Sequence, residues 1–284
     1  MTLAQPLAIP PSAETFFANH AQLRPMPEVA ARLIKSFDDP NVSLRALADL
    51  IEKDPTLSAR VLRLANSARF NPSHNVSTLM DAANALGLTM LRNLSMAAAI
   101  SGRFPEVQGL DRRHVWRHAA ITATFARILG KLVRLEADEV FVAGMMLRTG
   151  QLLMALSAPE QVAEVERLAG EPGSRYSLEQ HRFGCTHAHV TASLAAHWHF
   201  PNEMVRAFTD ASEPLERRPF SRMAAVLHLA EVLADAAVKG LDPVEALQQA
   251  VPELVAHMHL DLDDLRDRLL AAGDPGQDVD ALLH

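Results

Sequence analysis

The chain has 284 residues, which suits one large domain or two small ones. Its 27 basic and 34 acidic residues leave a net charge of −7, which disfavours a bulk electrostatic grip on nucleic acid. Apolar residues make up 49% of the chain, as in globular proteins, and the single cysteine, Cys185, excludes an intramolecular disulfide and a zinc site built from several cysteines.

The N-terminal segment lacks the basic region and the apolar core of a signal peptide. The longest apolar run lies around Leu94 to Ile100 and is much shorter than the roughly 18 residues that span a bilayer. The lone cysteine also fits a reducing compartment. We therefore expect a soluble, cytoplasmic protein that does not enter a membrane.

Helical periodicity runs through the N-terminal part of the chain. Ser43 and Asp54 are expected to cap two of the helices, and Pro55 fits the first turn of the second. A turn-rich stretch follows at 71–77, and Gly87 is expected to separate the next two helices. The predicted helices cover residues 27–37, 44–51, 55–65, 78–85 and 88 to about 101.

The stretch 102–111, with two glycines and a proline, is the predicted boundary between two lobes. Ser177 and Gln180 form a capping-box pattern, Gly184 is expected to end that helix, and Thr186 is expected to cap the next. No useful strand pattern occurs, so we predict an all-α protein of about a dozen helices. The later helices are predicted at about 111–132, 137–155, 159–169, 177–183, 187–198, 202 onwards and 220–239, with two more begun by Asp242-Pro243 and Asp261.

Residues 43–69 could form a helix-turn-helix whose second helix carries Arg60, Arg63 and Arg69. Basic groups on a recognition helix reach phosphates and base edges. Two consecutive amphipathic helices are nevertheless routine in all-α proteins, and we favour that interpretation.

The stretch 181–199 is rich in histidine, a common ligand of transition metals. Ligands on one helix must lie three or four residues apart to share a face, and several of these histidines lie two apart. We therefore favour surface or core histidines over a metal site. The five are His181, His187, His189, His197 and His199.

Cys185 is a candidate nucleophile, because a position near a helix N-terminus and beside His187 can lower the pKa of a thiol. A small residue at a helix start is the commoner explanation. The chain lacks the GxSxG, Walker A and dinucleotide glycine motifs, which removes support for the common nucleotide-dependent enzymes.

A series of short motifs is spread over about residues 20–235. The motifs are Asp54-Pro55, Leu62-x-Leu64-Ala65-Asn66-Ser67, Leu86-Gly87, Val115-Trp116-x-His118, Gly144-x-x-Leu147, Gly150, Glu179, Phe183-Gly184, His187, Trp198 and Pro201. In these motifs and in their order the chain resembles the HDOD domain, a signalling relative of the HD and HD-GYP phosphohydrolases. The resemblance implies an all-α fold in which an N-terminal helical lobe, 20–105, packs on a degenerate HD-like lobe, 106–235. Residues 1–19 would be an N-terminal extension, and residues 236–284 would be a C-terminal helical extension.

HD enzymes hold metal with a histidine, a His-Asp pair, further histidines and a late aspartate, and the metal activates water for attack on phosphorus. The resemblance places Arg148-Thr149 on the His-Asp pair and Ala211-Ser212 on a later His-His pair. No GYP signature is present. The positions of the former pocket are His118, Arg148, Thr149, His187, Ala211, Ser212 and Glu231.

Arg148 puts a permanent positive charge where a dication would lie, and Thr149 lacks the bridging carboxylate. We therefore expect no metal, no cofactor and no catalysis. Arg148 is expected to pair with Glu231. The alternatives are a pocket that senses an anionic small ligand and an arginine that reaches out to solvent.

The resemblance implies a stand-alone, non-catalytic signalling module of the bacterial cytoplasm that binds proteins. The expected partners are sensor kinases, response regulators or cyclic-di-GMP enzymes, and self-association is left open. One alternative is a residual metal-dependent phosphohydrolase or phosphodiesterase that uses His118 and His187. A DNA-binding regulator that uses residues 43–69 is less favoured.

Overall fold

A computed structural model describes residues 9–18, 28–35, 42–66, 76–102, 104, 107 and 110–276. The described residues form α-helices and no strands, as an all-α fold requires. The helices are α1 (Pro11–Ala18), α2 (Glu28–Lys35), α3 (Leu44–Glu52), α4 (Pro55–Ala65), α5 (Leu79–Ser101), α6 (Arg112–Leu132), α7 (Ala137–Met146), α8 (Thr149–Ser157), α9 (Pro159–Leu168), α10 (Arg175–Phe183), α11 (His187–His197), α12 (Asn202–Asp210), α13 (Arg222–Val238), α14 (Pro243–Ala250), α15 (Pro252–His257) and α16 (Leu262–Ala272).

The chain divides into two compact units. The small unit contains α2–α5, and the large unit contains α1 together with α6–α16. In the small unit, α2, α3 and α4 all pack on the long helix α5. The predicted caps are confirmed there: the Ser43 side chain accepts from the Ala46 amide, and the Asp54 carboxylate accepts from two amides at the start of α4.

Helix α5 contains the predicted interruption. Gly87 has φ 78° and ψ 168°, so the helix is kinked where two separate helices were expected. A positive φ is readily adopted only by glycine, which explains this residue at the kink. The turn-rich stretch predicted at 71–77 lies mostly outside the described residues, as do the ends of the helix predicted over 27–37.

The large unit is organised around α6 and α13, which contact each other and are buried along most of their length. Helix α7 packs on both, α14 packs on α13, and α16 packs on α6. Helix α11 packs against α8, α12 and α1. This arrangement brings the facing surfaces of α6, α8, α11 and α13 into the interior of one unit.

The single helix predicted over 137–155 is wrong, because α7 ends at Met146 and α8 begins at Thr149. The Thr149 hydroxyl donates to the Met146 carbonyl at 2.7 Å and so satisfies one acceptor at the break. A Cβ at Gly150 would lie 2.0 Å from the His187 carbonyl oxygen, so α8 approaches α11 more closely than a side chain allows. The break escapes sequence reasoning because both helices are buried all round and keep an apolar pattern.

The stretch Ala137–Ser157 is apolar and long enough to match a membrane span by length and composition. The expectation that the longest apolar run lies around Leu94 to Ile100 is therefore wrong. Within the fold, 89% of the apolar window of Ala137–Ser157 is buried. Burial inside a helical unit accounts for this composition, because a buried helix is apolar on all faces.

Two further predictions are corrected. Ser177 does not begin a helix: α10 starts at Arg175, and the Ser177 hydroxyl donates to the Ser174 carbonyl inside its first turn. The capping box lies instead at Thr186, with His189 as its third residue. Three helices, not two, lie between residues 241 and 276, because the chain breaks between α14 and α15 at the proline of Val251-Pro252.

Leu64 and Leu62 on α4 give a matched test of the small unit. Leu64 is 2% exposed, whereas Leu62 is only half-buried. Leu64→Ala should lower the free energy of unfolding by about 2–5 kcal/mol because it leaves a cavity. Leu62→Ala should cost clearly less in the same chemical denaturation experiment. Equal losses from the two variants would contradict this packing.

Candidate functional site

Six ionisable side chains meet inside the large unit, and we call them the ion cluster. All six are buried. They come from α6, the start of α8, α10, α11 and α13, so the cluster joins five parts of the chain. The members are His118, Arg148, Glu179, His187, Glu231 and Asp235.

Arg148 lies at the centre of the ion cluster and is 3% exposed. Its Nε donates to Glu231 Oε1 at 2.9 Å, and an Nη donates to Asp235 Oδ1 at 2.5 Å. The helix break places Arg148 just before α8, and the four-residue spacing of Glu231 and Asp235 puts both carboxylates on one face of α13. The expected pairing of Arg148 with Glu231 is confirmed, and the solvent-facing alternative is wrong.

His118 is held as a neutral imidazole. Burial, followed by the positive charge of Arg148, lowers the pKa of His118 to about 4. Its Nε2 lies 2.8 Å from Asp235 Oδ1, and its Nδ1 lies 3.1 Å from the Thr122 hydroxyl. A neutral ring satisfies both contacts when Nε2–H donates to Asp235 and Nδ1 accepts from Thr122. No lone pair of the ring is then left over.

His187 is held as a cation. Burial alone would lower the pKa of His187, but the carboxylates of Glu179 and Glu231 outweigh it and raise that pKa to about 9. Nδ1–H donates to Glu179 at 2.6 Å, and Nε2–H donates to Glu231 at 3.2 Å. The His187 amide also donates to Glu179, at 2.7 Å. Both ring nitrogens are therefore protonated and occupied at neutral pH.

The two acids of α13 are held as carboxylates. Burial would raise the pKa of Glu231, but His187 and Arg148 keep it well below its usual range. Burial opposes ionisation of Asp235 too, and Arg148 again outweighs it and lowers the pKa. The second Asp235 oxygen accepts from the Gly173 amide at 3.0 Å. Both acids thus remain charged although they lie in the interior.

A second set of polar groups connects the ion cluster to the surface. Arg175 lies 3.7 Å from Glu179 and donates to Glu166 at 2.5 Å. Gln151 on α8 also donates to Glu166, at 2.8 Å. Because Glu166 is one-third exposed, the chain of ion pairs ends at solvent.

Three aromatic rings form a stack beside the ion cluster. The Tyr176 ring lies between those of His187 and His228, with centroids 5.0 Å away on each side and interplanar angles of 18° and 13°. The His228 Nδ1–H donates to the Ala211 carbonyl at 2.7 Å. The stack therefore connects the cationic imidazole of His187 to a ring near the surface.

Four of the seven positions assigned to the former metal pocket meet in the ion cluster: His118, Arg148, His187 and Glu231. The other three lie outside it. Thr149 bonds the Met146 carbonyl, Ala211 contributes only its backbone oxygen to His228, and the Ser212 hydroxyl lies 3.5 Å from His189 Nε2.

Sequence reasoning missed Asp235 as a site residue and used Glu179 only as a mark of resemblance. The signal for Asp235 was available, because Glu231 and Asp235 are the only acidic residues of the apolar helix α13 and lie four apart. Acids on one face of an otherwise buried helix need a buried partner. Glu179 gave no such signal, since α10 is polar.

The ion cluster does not fit a divalent metal. Its central carboxylates already accept from a guanidinium whose charge would repel a dication. The two ring nitrogens of His187 lie 2.6 and 3.2 Å from carboxylate oxygens of Glu179 and Glu231, so neither nitrogen faces open space in which a metal ion could lie. Among the residues that the structure describes, no three His, Cys, Asp or Glu side chains are arranged to hold a metal ion.

The remaining candidates of the sequence do not form a site. Cys185 is fully buried, and burial raises the pKa of its thiol, the opposite of what a nucleophile needs. His189 caps its own helix, and His181, His197 and His199 are exposed.

The two helices of the proposed helix-turn-helix exist as α3 and α4. Arg60 is half-buried and its guanidinium lies 3.5 Å from the Ala98 carbonyl, while Arg63 is exposed. Arg69 lies outside the described residues. The pattern is that of two helices packed on α5.

The sequence profile of the HDOD domain matches residues 23–214. The chain belongs to the HDOD domain family. The HDOD family is related to the HD phosphohydrolases and is associated with signalling.

Solved structures share this HDOD fold. A candidate phosphohydrolase from Shewanella amazonensis SB2B is 26% identical, with a TM-score of 0.78 over 96% of this chain and 98% of that one. An HDOD domain protein of unknown function from Geobacter sulfurreducens is 23% identical, with a TM-score of 0.68 over 92% and 97%.

Among curated proteins, an uncharacterized protein of Treponema pallidum (strain Nichols) is 25% identical over 186 residues. That match covers 63% of this chain and 36% of the relative. The chain thus spans about a third of the length of the curated relative that it matches.

Arg148→Ala should lower the free energy of unfolding by about 3–5 kcal/mol, because it removes the guanidinium that two buried carboxylates share and leaves Asp235 without a cationic partner. Combining it with Glu231→Gln should cost less than the sum of the two single variants, since the pair is in direct contact. Chemical denaturation of the four proteins measures this coupling. Strict additivity, or an unchanged Arg148→Ala stability, would contradict the internal pairing and favour a ligand-sensing arginine.

His187 predicts a loss of stability in mild alkali. Its folded pKa of about 9 exceeds the usual 6.5, so its contribution is complete below pH 6.5 and is lost as the pH rises to 9. The shift corresponds to a fall on the order of 3 kcal/mol in the free energy of unfolding. His187→Gln should flatten this part of the profile, and His197→Gln, at an exposed position, should leave it intact. A wild-type profile that stays level from pH 6.5 to 9 would refute the cationic His187.

Proposed function

We propose that this HDOD protein is a non-catalytic signal-transduction module that acts through protein–protein contacts. The observation that carries the proposal is the buried guanidinium of Arg148, which donates to both Glu231 and Asp235. An HD phosphohydrolase needs a metal ion to activate water at the centre of this fold. Here a covalently attached cation fills the same electrostatic role without the chemistry.

The two histidines near Arg148 also have no free lone pair that could accept a proton from a substrate. The lone pair of His118 Nδ1 is used by Thr122, and both nitrogens of His187 donate to carboxylates. A general base needs an available lone pair within reach of the proton that it removes. The ion cluster therefore supports a structural role, in which it ties α6, α8, α10, α11 and α13 together.

The geometry of arginine suits this role. A guanidinium is planar, stays charged when buried and presents several donors, so it can bond two carboxylates at once. Breaking such a buried pair costs much more than the pair contributes over an apolar replacement. The ion cluster thus specifies one arrangement of the surrounding helices, which suits a module that presents fixed surfaces to partners.

The family association with signalling supports the other half of the proposal. As partners we propose sensor kinases, response regulators or enzymes of cyclic-di-GMP, with the bacterial cytoplasm as the location. A pull-down from the native cell with the intact chain should retrieve a protein of one of these classes. Retrieval that is unchanged when an unrelated bait replaces the chain would argue against it.

A metal-dependent phosphohydrolase is the alternative, and the description of the Shewanella relative favours it. The test is elemental analysis of untagged protein for iron, manganese, magnesium and zinc, together with hydrolysis of cyclic-di-GMP and bis-p-nitrophenyl phosphate in added Mn²⁺. We expect no stoichiometric metal and no turnover above buffer, because the donor set is already occupied. About one metal ion per chain, with turnover that His187→Ala abolishes, would establish the enzyme instead.

A further inference from the structure

An open groove of about 380 Å³ lies in the large unit, and no member of the ion cluster lines it among the described residues. One wall is the loop after α12, and the other is the junction between α14 and α15. His228 of α13 lines the groove with a ring that is 8% exposed. The apolar part of the lining includes Leu215 and Leu254, beside three prolines and valines of the loop and the junction.

The polar side chains of this groove accept hydrogen bonds. Three glutamates line it, Glu213, Glu216 and Glu253, and no lysine or arginine does so within the part of the chain that the structure describes. Burial lowers the pKa of His228, so its ring is neutral, and its Nδ1–H is already donated to the Ala211 carbonyl. The remaining nitrogen, Nε2, is therefore an acceptor.

The negative charge of the groove is only partly balanced nearby. Arg217 lies 3.6 Å from Glu213, while Glu216 and Glu253 have no ion pair within the described part of the chain. Arg218 turns instead to the carbonyls of Leu215 and Arg217. The groove thus combines an apolar floor with hydrogen-bond acceptors and carboxylates that lack a counter-ion. This combination fits a cationic hydrogen-bond donor at the end of an apolar side chain.

The shape of the groove favours a protein segment over a small molecule. Small-molecule sites bury about 70–90% of their ligand, whereas Glu213, Glu216 and Glu253 are all exposed at the rim. Rim carboxylates steer a basic partner from a distance and set its register. We propose that this groove docks a basic segment of a protein partner, with an arginine or lysine side chain laid along Leu215 and Leu254 towards His228. This docking surface rests on the proposed function, to which it adds the chemistry of the partner.

The probe is a blocked leucine–arginine–leucine tripeptide, titrated into the intact chain with ¹³C-labelled methyl groups. Binding should shift the methyl signals of Leu215, Val251 and Leu254 and leave those of the small unit unchanged. Glu216→Gln and Glu253→Gln should each weaken binding roughly threefold by removing one attractive charge. Glu203→Gln removes an equally exposed charge on α12 outside the groove and should leave binding unchanged.

Two further probes identify the occupant. Replacing the arginine of the tripeptide by neutral citrulline should weaken its binding by roughly tenfold, because the charge-assisted hydrogen bonds are lost. Agmatine alone should bind more weakly than the tripeptide. Three results would overturn the proposal: equal binding of the citrulline peptide, methyl shifts outside the groove, or no shifts at all. Tighter binding of agmatine than of the tripeptide would also overturn it and would assign the groove to a small amine.

The tripeptide titration and the hydrolysis assay test the groove and the proposed function separately. A chain that hydrolyses phosphodiesters and still binds the tripeptide would overturn the non-catalytic role and leave the groove intact. A chain that is inactive and does not bind the tripeptide would overturn the groove alone.

Discussion

The burial of one guanidinium constrains the centre of the large unit. Arg148 cannot escape its charge by losing a proton, so its burial requires anions at hydrogen-bond distance. Helix α13 supplies two carboxylates four residues apart, and the break between α7 and α8 brings Arg148 to them. Those carboxylates also accept from further donors: His118 and the Gly173 amide donate to Asp235, and His187 donates to Glu231.

The two histidines of the ion cluster show how position decides chemistry. Both are fully buried and both contact an acid of α13, yet burial beside Arg148 keeps His118 neutral, while the two carboxylates around His187 keep it charged. The same side chain thus fills two roles, set by whether its second neighbour is a hydroxyl or a second acid. With these protonation states, every ring nitrogen of the two histidines has a hydrogen-bond partner.

The proposed docking groove differs from the ion cluster in the sign and the exposure of its charges. A buried cation organises the centre, whereas the groove exposes carboxylates and the acceptor face of His228. His228 takes part in both, because its ring stacks on Tyr176, which stacks on His187. The aromatic stack thus links the ion cluster to the proposed docking groove through side-chain contacts within the large unit.

The sequence by itself determined what short-range forces decide. The caps at Ser43, Asp54 and Thr186 and the kink at Gly87 follow from groups a few residues apart, and the family resemblance located Arg148 and Glu231. The proline at 252 and the two acids of the apolar helix α13 were also sequence signals, for a break and for a buried partner, whereas the break before Thr149 and the meeting of Arg148 with both acids depend on the tertiary structure. Arg148 meets its two acids across 83 and 87 residues. A periodic pattern reports which face of a helix is buried but not which side chain lies opposite it, because that depends on how distant helices pack.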